Sequence, residues 1–155
     1  MIFGIGVDVL EAARIKKVYD RFGGHFLDRL LLPAERAQMA KTKRIERFLA
    51  MRFAAKEAIV KAMGTGFAHG MWIRDVGVVQ NAWGRPEVVY SQRGETMRRK
   101  LGIGGGHITL TDEAGLIVAV AVLETAPKKA APKKAAPKKK AARRKTRSVA
   151  RARRR

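Results

Sequence analysis

The 155-residue chain has room for one domain with a real core and little for a second. It contains no cysteine, which excludes disulfides and thiolate metal sites and permits a reducing cytosol. Its 34 Lys and Arg against 13 Asp and Glu give +21, unevenly placed: fifteen bases and no acid lie in residues 126–155, so 34 − 15 = 19 bases face 13 acids before them, a net of +6.

The opening MIFGIGVDVLEAAR lacks a basic leading segment, and its apolar run breaks at Asp8, so it does not read as a secretory signal. No run approaches the roughly 20 apolar residues of a membrane helix. A soluble, cytoplasmic protein without membrane contact is the expectation. Residues 2–10, IFGIGVDVL, are rich in β-branched side chains and read as a buried strand. EAARIKKVYDRFGG follows as a helix, with Gly23-Gly24 as its stop. Ile15, Val18, Tyr19 and Phe22 have the spacing of a core face, and Arg14, Lys17 and Arg21 share another face. LPAERAQMAK predicts a short helix with Pro33 in its first turn. Residues 44–63 carry the longest helical pattern, ended by Gly64 and Gly66. MWIRDVGVVQ and PEVVYS read as strands joined by the turn NAWGRP. GETMRRKLG is a short helix, and HITLT and LIVAVAVLE close as a strand pair around DEAG. The order β-α-α-α-β-β-α-β-β places residues 1–125 in the α+β class.

From Ala126 the composition changes. A-P-K-K recurs three times at five-residue intervals, and RRKTRSVARARRR ends the chain. A proline every five residues prevents a continuous helix. With almost no large apolar side chain, residues 126–155 cannot offset their ordering entropy and read as a disordered basic tail.

Several residues stand out from this frame. A carboxylate at Asp8 inside an apolar strand calls for a cation or for the free amides of the helix that follows, and position alone does not separate a metal ligand from a helix cap. In the long helix, Phe48, Ala55, Ile59, Ala62 and Met63 cluster on one side at about 100° per residue. Glu57 and Lys61 lie nearly opposite, and Arg52 and Lys56 form a second pair one turn apart. Glu57–Lys61 alone is an ordinary surface salt bridge. One acid among three bases before Gly64-Thr65-Gly66 also suits a metal–polyphosphate site, where the acid holds Mg2+, the bases neutralise phosphate and glycine amides approach it. Gly4-Ile5-Gly6 lacks the third glycine of a dinucleotide fingerprint, since Val9 stands there, and no P-loop is present. His25, His69 and His107 form no metal-ligand spacing. The one-signed stripe of Arg14, Lys17 and Arg21 fits a solvated face or an acidic partner. The tail would bind any polyanion at low salt, which leaves nucleic-acid binding as the alternative function.

GIGVDVLEAARI, RFAAKEAIVKAMGTG, NAWGRP and HITLTDE occur in order across residues 1–124. Together they resemble the holo-acyl-carrier-protein synthase family, the small bacterial 4′-phosphopantetheinyl transferases. The early G-x-D combined with F-x-x-K-E-A-x-x-K-A carries the resemblance. It implies an antiparallel sheet packed on a long helix, and Mg2+-dependent transfer of 4′-phosphopantetheine from coenzyme A to a serine of apo acyl carrier protein, in support of fatty acid biosynthesis. By resemblance Asp8 and Glu57 are the Mg2+ ligands, and Lys61 stabilises the diphosphate. Either Glu57 or a water on the metal is the base for the carrier serine. Lys56, Arg52 and His107 are implied phosphate contacts, the 3′-phosphate falling to Arg52 and His107. Gly64 and Gly66 would lie beside the phosphates, Asn81, Gly84, Arg85 and Pro86 near the adenosine, and Thr109 beside His107 on the coenzyme. Arg14, Lys17 and Arg21 would dock the acidic carrier protein, and a homotrimer with sites between subunits is expected. Asp112 stands where some members carry a second His. The tail lies outside the family pattern and resembles the Ala-Lys-Pro repeats of linker-histone-like proteins.

Overall fold

In a computed structural model of the chain, residues 1–127 are described. All but the first two residues of the expected tail lie outside them. The elements are β1 (Ile2–Glu11), α1 (Ala12–Leu30), α2 (Pro33–Met39), α3 (Ile45–Met63), a 3-10 turn (Ile73–Asp75), β2 (Val76–Gln80), β3 (Pro86–Tyr90), α4 (Gln92–Lys100), β4 (Ile103–Glu113) and β5 (Leu116–Thr125). The expected order therefore holds. Antiparallel β1-β5-β4 make one sheet and β2-β3 a second, joined across their strands by the β4–β5 and 81–85 turns.

The sheet lies against α3, and small residues set the distance. The inner face of the sheet presents Gly4 and Gly6 on β1 and Ala119 and Ala121 on β5, and α3 answers with Ala54, Ala55, Ala58 and Ala62, all buried. A Cβ on Gly6 would fall 2.0 Å from the Ala58 carbonyl oxygen and one on Gly4 2.1 Å from that of Ala62. Backbone touches backbone at this seam, so even one methyl group would force α3 off the sheet. The period-2 alternation of β1 puts Asp8 on the same inner side as Gly6 and Leu10, opposite Ala119.

Four sequence expectations are corrected. Gly23-Gly24 break α1 without ending it: Gly23 is non-helical (φ 48°, ψ −122°), and a second helical stretch runs on from the break to Leu30, with Leu27 and Leu30 buried in the core. Phe22, next to the kink, is turned out and 49% exposed instead of joining Ile15 in the core. Asp8 is not a helix cap, since α1 begins after Glu11 with no side-chain cap. The strand expected from Met71 starts only at Val76, because Ile73–Asp75 wind into a 3-10 turn.

Asp75 ties that turn to α4. It accepts from the Trp72 amide at 2.7 Å, from Ser91 Oγ at 2.9 Å and from Arg93 Nη2 at 2.6 Å. Burial pushes its pKa up, but the Arg93, Trp72 and Ser91 hydrogen bonds push it down further, and the net shift is downward. A depressed carboxylate stabilises the fold above its unfolded pKa and loses that contribution as pH falls through its folded one. Asp75→Asn should therefore cost about 1–3 kcal/mol at pH 7, and its gap to the wild type should narrow as the pH is lowered through 4 toward 3. Urea unfolding across that range measures it, and a pH-independent gap would remove the assigned charge.

Candidate active site

The close α3–β1 seam brings three expected residues together. Asp8 Oδ1 accepts from Lys61 Nζ at 2.8 Å, and the same ammonium donates to the Val7 carbonyl at 3.1 Å. Asp8 is mostly buried, while Lys61 is about half exposed. Glu57 lies one turn before Lys61 and is half-buried. Burial raises its pKa, the negative Asp8 raises it further, and Lys61 opposes both. Two carboxylates and one ammonium thus lie close enough at this seam to act on one another. Among the described residues no cluster of three or more His, Asp or Glu gathers, so these two are what the chain offers a cation here.

A second group forms at the other end of α3. A cavity of about 420 Å3 is lined by Gln38, Lys41, Thr42, Arg44, Arg47, Arg52 and Asn81 among others. Four cations on one cavity favour an anion. Arg52 is 4% exposed, with its guanidinium carbon 4.2 Å from the Phe48 ring centroid. Burial lowers its pKa and Glu35 opposes the shift. Among the described residues its Nε has no hydrogen-bond partner. Arg47 is anchored from the far side, donating through Nε to Asp112 at 2.7 Å, which draws the Asp112 carboxylate below its usual range.

Asn81 builds the adjoining turn. Its Oδ1 accepts from the amides of Trp83 at 2.9 Å and Arg85 at 3.1 Å, and Gly84 takes the left-handed φ of 77° that the turn needs. Pro86 then opens β3 opposite Gln80. Arg85 Nη2 lies 3.1 Å from His107 Nδ1. A guanidinium only donates, so that ring nitrogen accepts. His107 Nε2 is 3.5 Å from Glu124, and Thr109 follows it on the exposed face of β4.

Asp8, Glu57 and Lys61 form one group, Arg52 and Asn81 a second, and Arg85 and His107 a third. His107 does not line the cavity that holds Arg52. Lys56 is a correction. It is fully buried, 2.8 Å from Glu35 Oε2 and 2.6 Å from the Val76 carbonyl, and burial draws its pKa down. An ammonium with no exposed surface does not reach a phosphate here. Gly64 and Gly66 are also recast: the amides of Gly64, Thr65 and Gly66 go to the carbonyls of Lys61 and Val60, closing the helix instead of facing outward. What these glycines supply is a left-handed φ, 72° and 56°, that a side chain would strain; space is not the constraint, since a Cβ on either would meet nothing. Arg14, Lys17 and Arg21 stand exposed on α1, and among the described residues none is in an ion pair. Sequence reasoning missed Gln38, Lys41, Arg44 and Arg47. The basic run KTKR just before α3 was the available signal, and only the hairpin β2-β3 folding over it turns it into a cavity wall.

A family model described as the 4'-phosphopantetheinyl transferase superfamily matches residues 4–119. The holo-[acyl-carrier-protein] synthase of Thiobacillus denitrificans is 39% identical over 124 residues, 80% of this chain and 95% of that protein. The crystal structure of holo-[acyl-carrier-protein] synthase from Neisseria meningitidis superposes with a TM-score of 0.76 at 34% identity, over 81% of this chain and 100% of that one. The Bacillus anthracis enzyme, in complex with coenzyme A (3',5'-ADP), superposes with a TM-score of 0.67 at 34% identity, over 81% of this chain and 99% of that one. A chain matched over most of its length, in sequence and in fold, belongs to the 4'-phosphopantetheinyl transferase superfamily.

Proposed function

We propose that this chain is a holo-acyl-carrier-protein synthase: it transfers 4′-phosphopantetheine from coenzyme A to a serine of apo acyl carrier protein and releases adenosine 3′,5′-bisphosphate, supporting fatty acid biosynthesis. The observation that carries the reading is Asp8, Glu57 and Lys61 meeting at one seam in a chain of this family. The new bond joins the serine oxygen to the phosphorus of the pantetheine phosphate, and the bond from that phosphorus to the bisphosphate oxygen breaks. Glu57 or a water beside it accepts the serine proton. Lys61 faces the charge that gathers on the departing phosphate.

Mg2+ fits the donor set. Asp8 and Glu57 would hold it through hard carboxylate oxygens, with other positions left to phosphate and water; burial first, and then the negative Asp8, raise the Glu57 pKa, a cost that a bound cation would relieve. When bound, the ion neutralises diphosphate charge. The basic cavity around Arg52 would take the 3′-phosphate, and the turn of Asn81, Gly84, Arg85 and Pro86 the adenosine. Arg14, Lys17 and Arg21 would dock the acidic carrier protein.

The outer face of the sheet supports self-association, and the family resemblance makes the expected assembly a homotrimer. Ile5, Val7 and Val9 on β1 are 60%, 48% and 59% exposed, beside Val118, Val120 and Val122 on β5. Such a continuous apolar face calls for a covering partner. Light scattering should return three times the chain mass, and Val7→Glu should lower both the mass and the activity together. A fully active monomer would refute the assembly.

The transfer itself is tested by incubating the protein with coenzyme A, Mg2+ and apo carrier protein, and weighing the carrier by mass spectrometry. A folded protein that leaves the carrier mass unchanged would sink the reading. A second reading, nucleic-acid binding, is favoured by the fifteen bases of residues 126–155. Salt-sensitive DNA binding by the full chain that is lost on removal of residues 126–155 would assign the contact to them, and a full chain that binds no DNA at low salt would sink this reading.

A further inference from the structure

Gln38 is used at both ends. Its Nε2 donates to the Gln80 carbonyl at 2.7 Å, while its Oε1 accepts from the Gln80 amide at 3.0 Å and from Arg52 Nη2 at 3.2 Å. These partners decide which way the carboxamide points, because the reversed amide would set its NH2 against two donors. Gln38 therefore pairs with the last residue of β2 as a neighbouring strand would, one residue before Asn81. The same oxygen holds the guanidinium of Arg52.

Arg52 has little other support. Phe48 lies under its plane, and Glu35 Oε1 is 3.9 Å from its Nε, too far for a hydrogen bond. Gln38 is its one hydrogen-bond acceptor among the described residues. A guanidinium this buried with an unpartnered Nε is uncommon, and it lines a cavity walled by Lys41, Arg44 and Arg47. The open donors and the surrounding charge both ask for an anion.

We propose that Gln38 is a positioning residue. It sets the guanidinium of Arg52 to receive the 3′-phosphate of coenzyme A, its two bonds to the Gln80 backbone fixing the carboxamide oxygen that holds that guanidinium. The proposal rests on the transferase reading. The physical gain is preorganisation: the long arginine side chain is already held when the phosphate arrives.

Gln38→Met keeps the length and helix compatibility of the side chain and removes its polar atoms. The KM for coenzyme A should rise about tenfold, with kcat changed by less than about twofold, the loss expected for one hydrogen bond to a charged group. The KM for 3′-dephospho-coenzyme A should stay within about twofold, so the preference for the 3′-phosphate collapses. In an Arg52→Ala background, Gln38→Met should raise KM no further, since its effect runs through Arg52. Equal rises for both coenzymes, or an undiminished rise without Arg52, overturn the proposal and leave Gln38 a structural brace. If Gln38→Met melts below the assay temperature, Gln38→Asn, which keeps the amide but falls one methylene short, is read by the same criteria. A wild type that discriminates while its Gln38→Met form discriminates equally well overturns the positioning role alone. A wild type that modifies no carrier protein overturns the transferase reading itself.

Discussion

Glu57→Gln should lower kcat/KM for carrier modification by on the order of a hundredfold or more, while the fold loses nothing. The amide has the volume of the carboxylate and differs by one charge. At this position the charge is disfavoured in the folded state, because burial and the neighbouring Asp8 both raise the Glu57 pKa. A carboxylate with a raised folded pKa withdraws stability once both states are ionised, as at neutral pH, and returns it as the pH falls from its folded pKa to its unfolded one. The amide mimics the protonated form at every pH. In metal-free buffer the variant should melt at the same temperature as the wild type or slightly above it. Loss of activity together with loss of stability would mean that Glu57 is a structural residue, and full activity would remove it from the site. A charge kept against the preference of the fold is the mark of a group retained for chemistry.

Glu35→Ala should be the most destabilising single change in the core, at about 3–5 kcal/mol of the 5–15 kcal/mol that hold a domain of this size. Glu35 is fully buried and accepts from the amides of Leu32 and Val78, both at 2.9 Å, and from Lys56 Nζ at 2.8 Å. Its removal strands the buried Lys56 ammonium and leaves two amides without partners. Lys56→Met should cost less, because Glu35 keeps both amides and stays near Arg52. The pH dependence has a definite sign. Burial already lowers the Lys56 pKa with Glu35 pushing back, so without Glu35 it falls further. The unfolded chain then binds the proton more tightly than the folded one, and stability rises with pH in that window. The deficit of Glu35→Ala should shrink between pH 7 and pH 10, as measured by urea unfolding. A deficit that grows with pH would show that Lys56 is not the group left exposed to that cost.

Much of the architecture was legible along the chain. The alternating Val and Ile of β1 and β5, the glycines after Met63 and the Asn-Gly-Pro turn act within a few residues, and local spacing reads such signals well. Gly23 shows the limit. A glycine pair can stop a helix or kink it, and the choice belongs to Leu27 and Leu30, which have a core to enter beyond the kink. Lys56 shows it more sharply. A lysine on a helix ordinarily faces water, and what draws this one inside is a carboxylate twenty-one residues earlier on α2, together with the Val76 carbonyl on β2.

The three residues of the proposed centre divide along the same line. The sequence by itself determined which residue types are present: a carboxylate interrupting an apolar strand, and an acid and a base one helical turn apart. It also placed small residues on both elements. Only the tertiary structure decided that these features meet, because glycine on β1 and alanine on α3 let the two backbones touch and bring Lys61 within 2.8 Å of Asp8. The same folding joined Gln38, Arg52 and Asn81 around one cavity from three elements distant in the chain. Contact between such segments depends on how closely their surfaces pack, and no local periodicity encodes that distance.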